Sequence, residues 1–470
     1  MIEPMTRADD ELAFTPVHAL AKRMAAGGLT STKLTQTCLA RIESHGEKLH
    51  AFVAVYASEA LRAAHAADEA IASGHRIGPF HGIPVAIKDI VDMKGRITTG
   101  GSKVWEKRIS PRTATLAKKL VSAGMIVLGK THSVEFAMGS FGTNTHMGTP
   151  WNPWDMKELR GPGGSSSGTG VAVSAGLAPW GIGTDTGGSV RIPSAWCGLA
   201  GLKTTIGRIS VHGVLALSHT LDTPGPMCRS VEDAALLYNL LQGPDPFDPL
   251  TLRHAPDDPM PALKRGVDGL VLAKLPASER PHVEAEVLAA YDASLAVLEK
   301  LGAKLVDVTL PRSLAELGAM AGRLIGCEGY SYVGQLTDDP AQPVDPDVRP
   351  RIGLGRDVSA RDYLLLLRER EQLKRDWSKA LAGCDALLAP TTLTAAPRVT
   401  DIDQSGTAAV VTRAINLVDG CALAVRNGFT RSGLPTSLQI ACRGYDEATA
   451  LRIGWAYEQA SAWRERHPAL

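Results

Sequence analysis

Cysteine is scarce in this chain of 470 residues. The seven, at positions 38, 197, 228, 327, 384, 421 and 442, are scattered, odd in number, and form no C-x-x-C pair. That spacing excludes a disulfide framework or a structural zinc site and leaves buried or half-buried thiols in a reducing compartment. Excess charge is also missing: 50 Lys+Arg face 49 Asp+Glu, for a formal net charge of +1. Neither nucleic acid nor an anionic membrane is therefore expected as a partner, and a small ligand is. No uninterrupted apolar run is long enough to span a bilayer, and the acidic residues 1–11 hold no signal-peptide core, so a cytoplasmic protein is expected. His132, His146, His212 and His219 lack metal-ligand spacing. No metal and no organic cofactor is implied.

What the chain does have is a 44% apolar fraction, enough for a sizeable core. Helical periodicity predicts a helix from Pro16, capped by Thr15, as far as Ile42, and an alanine-rich one over 58–71. Short apolar runs at 83–87, 125–128 and 180–183 then alternate with helical patterns at 113–123 and 171–177. This alternation predicts an α/β fold: a large central mixed, mostly parallel sheet covered by helices on both faces. Residues 243–269 read as a connection rich in Pro, Asp and Gly. Further on come strands at 270–273 and 304–310 and helices at 283–301, 313–323 and 360–381. Residues 338–357, with four prolines and no periodicity, read as a surface loop of the kind that borders active sites. Without a long polar linker, residues 1–470 are expected to form a single domain. Its parts would be a helical segment (1–75), a catalytic core (76–242), an elaboration with substrate-rim loops (243–385) and a C-terminal part of the core (386–470).

Two serines lie in glycine-rich loops 24 positions apart: Ser165 in Gly163-Gly164-Ser165-Ser166-Ser167-Gly168, and Ser189 in Thr184-Asp185-Thr186-Gly187-Gly188-Ser189. Upstream, Lys88 closes the apolar run 83–87. Serine becomes a nucleophile only when a base removes its proton, and lysine serves as that base only when its ammonium is destabilised. A lysine whose stem starts in the interior meets that condition through desolvation. Paired glycines after a strand also let successive N–H groups converge on one point, as an oxyanion requires. Lysine, two serines and a donor nest together suit acyl transfer. Two other motif matches are set aside. Gly124 to Thr131 fits the phosphate-loop pattern G-x-x-x-x-G-K-[ST], but its four central positions read as a buried strand. Gly164 to Gly168 fits G-x-S-x-G, which would make Ser166 the nucleophile.

The span from His81 to Pro193 resembles the amidase signature family, in Gly82-Ile83-Pro84-Val85-Ala86-Ile87-Lys88-Asp89, Gly129-Lys130-Thr131, Asn152-Pro153-Trp154 and both serine loops. The tail resembles it too, in Ala389-Pro390-Thr391-Thr392 and in Gly433-Leu434-Pro435 running to Gln439. The resemblance implies the amidase-signature fold. It also implies Ser189 as nucleophile, Ser165 as a relay after a cis Gly164–Ser165 bond, and Lys88 as base. Backbone N–H groups of Thr186, Gly187, Gly188 and Ser189 would form the oxyanion hole, with Asp185 and Arg191 bracing the loop. Met138, Gly139 and Ser140 would stand at the pocket wall. Two functions are compatible with these motifs. The first is a free-standing hydrolase, monomer or homodimer, of small amides, with esters and carbamates as further substrates. The second is a glutamine-dependent amidotransferase subunit that supplies ammonia to a partner protein. Tyr330 and Tyr332, near the 338–357 loop, could give an apolar rim, which favours the first.

Overall fold

The computed structural model describes residues 7–470, apart from the side chains of residues 7–9 and 464. Among these residues the apolar runs assemble one sheet of 11 strands: β1 (Phe52–Val55), β2 (Pro84–Lys88), β3 (Ile126–Thr131), β4 (Trp180–Asp185), β5 (Ala200–Lys203), β6 (Thr223–Cys228), β7 (Val271–Ala273), β8 (Lys304–Val306), β9 (Ala386–Pro390), β10 (Cys421–Phe429) and β11 (Pro435–Cys442). Their order is β1-β3-β2-β4-β6-β5-β10-β11-β9-β7-β8. Every residue of β2, β4, β5, β6, β9 and β11 is buried, as a sheet covered on both faces demands.

The mixed α/β architecture expected from the sequence is what forms. Its parallel pairs fall in two groups, β3-β2-β4 and β9-β7-β8. Between them runs an antiparallel ladder, from β4 through β6, β5, β10 and β11 to β9. That ladder is longer than β-then-α alternation implied. β6 carries Pro224 and Pro226, which removes two ladder donors and hid it from pattern reading. It is tolerated because β5 pairs only with Cys228 and Met227, so the prolines lie beyond that ladder.

The helix expected from Pro16 to Ile42 is two, Val17–Ala25 and Ser31–Leu49. Gly27, at φ +73°, ends the first in a conformation that L side chains rarely adopt, and the Thr30 side chain caps the second by accepting from Lys33 N–H. Pro16 stands just outside the helix. The donors at Val17 and His18 are met by Asp233, 2.8 and 2.9 Å away. A third helix, Leu314–Asp338, outruns the predicted 313–323. Its glycines obscured the periodicity but admit close neighbours: a Cβ on Gly329 would lie 3.0 Å from Leu217 Cδ1. The 338–357 stretch is a loop that contains one short helix, Arg349–Gly353. The cysteines are unpaired, five buried and two half-buried.

Candidate active site

β2 delivers Lys88 into the interior, where its side chain is fully buried. Lys88 Nζ donates to Ser165 Oγ at 2.7 Å and to Thr184 Oγ1 at 2.9 Å, and no carboxylate forms an ion pair with it among the described residues. Burial pushes its ammonium down to about 7, against the opposing fields of Asp222 and Asp185. An amine partly neutral at ordinary pH follows.

The Gly163–Gly168 loop is firmly held. Gly163 N–H donates to Phe141 O, Gly164 N–H to Ser140 O, and Ser165 O accepts from Val134 N–H. The Gly164–Ser165 peptide bond is cis. Ser166 N–H donates to Ser189 O at 3.3 Å, which sets the two serine loops side by side. The Ser166 hydroxyl is fully buried and exchanges hydrogen bonds with the backbone of Thr184, which leaves it no role as the nucleophile of a G-x-S-x-G site. Gly183, on β4, faces that hydroxyl: a Cβ there would sit 2.8 Å from Ser166 Oγ and 2.7 Å from Met227 Sδ. The phosphate-loop match dissolves for the reason the sequence suggested, since β3 occupies Ile126–Thr131 and Lys130 is buried against Asp89.

Asp185 organises the second loop. It pairs with Arg191 (Nη2 to Oδ1, 2.9 Å) and accepts from Asn416 Nδ2 and from Val190 N–H. Burial works against its charge, but Arg191 outweighs it and holds the carboxyl far below the usual range. It also accepts from Gly188 N–H at 2.8 Å. This corrects the expected four-donor oxyanion hole: the Gly188 amide is turned to its own loop's carboxylate. Thr186, Gly187 and Ser189 are left as the donors the loop can offer. Gly188 needs to be glycine, since at φ +134° a Cβ would lie 2.3 Å from Thr412 Oγ1. Sequence reading missed Asp222. It accepts from Thr186 Oγ1 at 2.5 Å and from the Leu217 and Ser218 amides at 2.8 and 3.0 Å. Burial pushes its carboxyl up to about 6 despite those donors.

Ser189 lines a cavity of about 210 Å³, together with Thr186 and Gly187. Met138, Gly139 and Ser140 line the same cavity. Arg351, from the 338–357 loop expected to border the site, and Arg413 also reach it; neither was named from the sequence, because neither lies in a recognisable motif. Tyr330 and Tyr332 do not line it. Tyr330 is bonded to Asp338, and Tyr332 stands 48% exposed, edge-on to His219.

The family profile described as Amidase matches residues 33–451. The chain belongs to the amidase signature family. It is 38% identical to the A-type subunit of Glutamyl-tRNA(Gln) amidotransferase from Chloroflexus aurantiacus, over 98% of this chain and 99% of the relative. Among solved structures it superposes on the corresponding amidotransferase subunit from Thermotoga maritima with a TM-score of 0.81, at 30% identity over 96% of both chains. It superposes on native peptide amidase from Stenotrophomonas maltophilia with a TM-score of 0.84, at 29% identity over 97% of this chain and 98% of that one. The protein is thus an amidase-family enzyme of carbon–nitrogen bonds.

These relatives overturn the first functional expectation. A free-standing hydrolase of small amides, esters and carbamates, acting as monomer or homodimer with no nucleic acid in view, is not what full-length likeness to amidotransferase subunits supports. The physical reason for the error is plain. The loops that cleave a C–N bond are the same whatever receives the nitrogen, and near-zero net charge does not register a partner that is itself a protein. The 338–357 loop does border the cavity, through Arg351 and Leu354, but the two tyrosines do not, and two guanidinium groups stand among the apolar lining residues.

Proposed function

We propose that the chain is the amide-cleaving subunit of a glutamine-dependent amidotransferase, releasing ammonia for an acceptor held by a partner, with glutamyl-tRNA(Gln) the acceptor that its relatives' names suggest. Ser189 Oγ attacks the carboxamide carbon as its proton passes to Ser165, whose own proton passes to the neutral amine of Lys88. The carbonyl becomes an oxyanion facing the N–H groups of Thr186, Gly187 and Ser189, where losing one donor typically costs about 3 kcal/mol of transition-state stabilisation. Collapse breaks the C–N bond, and the proton returns through Ser165 to the departing nitrogen, giving ammonia and an acyl ester on Ser189. Water, deprotonated by the same relay, then releases the acid and restores the serine.

One observation carries the chemistry, a buried lysine bonded at 2.7 Å to Ser165 with hydroxyls in place of a carboxylate around it, and the full-length likeness to amidotransferase subunits supports the acceptor side. Asp185 and Arg191 brace the loop, and Met138, Gly139 and Ser140 contact the bound amide. A cytoplasmic setting fits such an enzyme. The test has two arms. Glutamine mixed with the full chain and quenched in acid should leave a glutamyl adduct by intact mass, absent in Ser189→Ala. Gel filtration of a native lysate should carry the chain in a hetero-complex. No adduct under single turnover would remove Ser189 from its role, and a chain that elutes alone would return the partner question to the start.

A further inference from the structure

The arginines near the site are not equivalent. Arg191 is saturated, donating to Asp185, Asn416, Gln439 Oε1 and Thr412 O. Arg351, in the cavity, is held by Gln404 O and Oε1 at 2.6 and 2.8 Å and by Met138 O at 3.3 Å; burial lowers its guanidinium, and Asp347 and Asp345 oppose that. Arg413 has neither kind of support. It donates one long hydrogen bond, 3.4 Å to Gly318 O, and forms no ion pair among the described residues. Burial, and then the field of Arg351, push its guanidinium down to about 10. Two glycines make room for it. A Cβ on Gly187 would lie 3.1 Å from Arg413 Cγ, and one on Gly322 would lie 3.2 Å from Nη1. A half-buried guanidinium beside a second cation, with no carboxylate of its own, keeps free donors that a ligand anion would complete. Among the described residues that line this cavity there is no Asp or Glu.

We propose that Arg413, with Arg351 in the same cavity, binds the carboxylate on the acyl side of the amide, so that the site requires an anionic acyl donor, glutamine included, and draws no binding from a donor's charged amine. The inference rests on Ser189 as the reacting group. Glutamine meets the carboxylate requirement, but its α-ammonium finds no acid here. Glutaramate, the same skeleton without the amine, is therefore expected to be the better donor, and neutral pentanamide the worst.

Ammonia release by the full chain from glutaramate, glutamine and pentanamide, in wild type, Arg413→Met and Arg413→Lys, tests this together with calorimetric binding of glutarate. In wild type kcat/KM for glutaramate should exceed that for pentanamide at least 100-fold and that for glutamine several-fold. The glutaramate-to-pentanamide ratio should drop at least tenfold in Arg413→Met and less in Arg413→Lys. Glutarate should bind at least tenfold more weakly to Arg413→Met. Ammonia release with pentanamide as good as glutaramate overturns the anion site and leaves Ser189 in place. No cleavage of any amide, but glutarate binding that depends on Arg413, overturns the Ser189 reading and keeps the anion site. Glutarate binding that ignores Arg413 overturns the proposal whatever the rates.

Discussion

Two lysines stand on neighbouring parallel strands, both fully buried, and meet opposite requirements. Lys130 on β3 is paired in register with Ile87, the residue before Lys88 on β2. Lys130 pairs with Asp89 at 3.3 Å and donates to Val91 O at 2.6 Å and Thr98 Oγ1 at 2.9 Å. Among the described residues the Lys88 amine meets two hydroxyls and no carboxylate. Burial lowers the affinity of both for a proton, but Lys130 has an adjacent anion that opposes the loss, while the anions that oppose it at Lys88 make no contact with it. Burial alone therefore does not make a base. What separates a structural ion pair from a proton acceptor here is which lysine the neighbouring carboxylate faces.

Neutralising each lysine breaks the comparison most sharply. Lys88→Met is expected to cut kcat for ammonia release by about 10³-fold or more, in line with the loss of a general base, without lowering the unfolding midpoint in urea. Lys130→Met is expected to do the reverse. It strands the buried Asp89 and costs on the order of 3–5 kcal/mol in the same urea titration, while the folded fraction keeps its kcat. Comparable activity in the two variants would dissolve the distinction.

A smaller effect concerns pH. With Lys88 as base, kcat/KM should rise with pH through a midpoint near 7, the value to which burial pushes the amine. Asp222 is the larger of the two fields holding that proton on, and above about 6 it is charged. Asp222→Asn should therefore move the midpoint to lower pH and, by loosening Thr186, also reduce kcat. A midpoint that moves up would mean that Asp222 is not the charge Lys88 senses. The last effect is on stability. Between about 7 and 10.5 the unfolded chain holds a proton at position 88 that the folded chain has released, so folding stability should rise with pH across that window. Lys88→Met should reduce the slope of that part of the denaturation-midpoint profile, leaving the share that Lys203, pushed down to about 8 by burial, adds.

Much of this was legible in sequence where the residues report on themselves. A lysine ending an apolar strand announces a buried stem, and serines among glycines announce tight loops. The strands at 83–87, 125–128 and 180–183 were visible because they are continuously apolar. β6, with its two prolines, was not, nor was the antiparallel centre, because pairing between distant segments leaves no local period. Gly188 looked like an oxyanion donor since a glycine reveals only that the backbone turns, not which acceptor its amide will face. Arg351, Arg413 and Asp222 could not be found that way. Each comes from a segment without a motif and acquires meaning only when the fold sets it beside Ser189 or Thr186.

Gly183 makes no contact with the cavity, yet it works as a thickness gauge for the catalytic layer. Even one added carbon would wedge the strand away from the hydroxyl of Ser166, next in the chain to Ser165. A methyl group far from any substrate would thus lengthen the wire between amine and nucleophile. Redesign of this enzyme can vary the walls of its cavity more freely than the glycine at position 183 behind them.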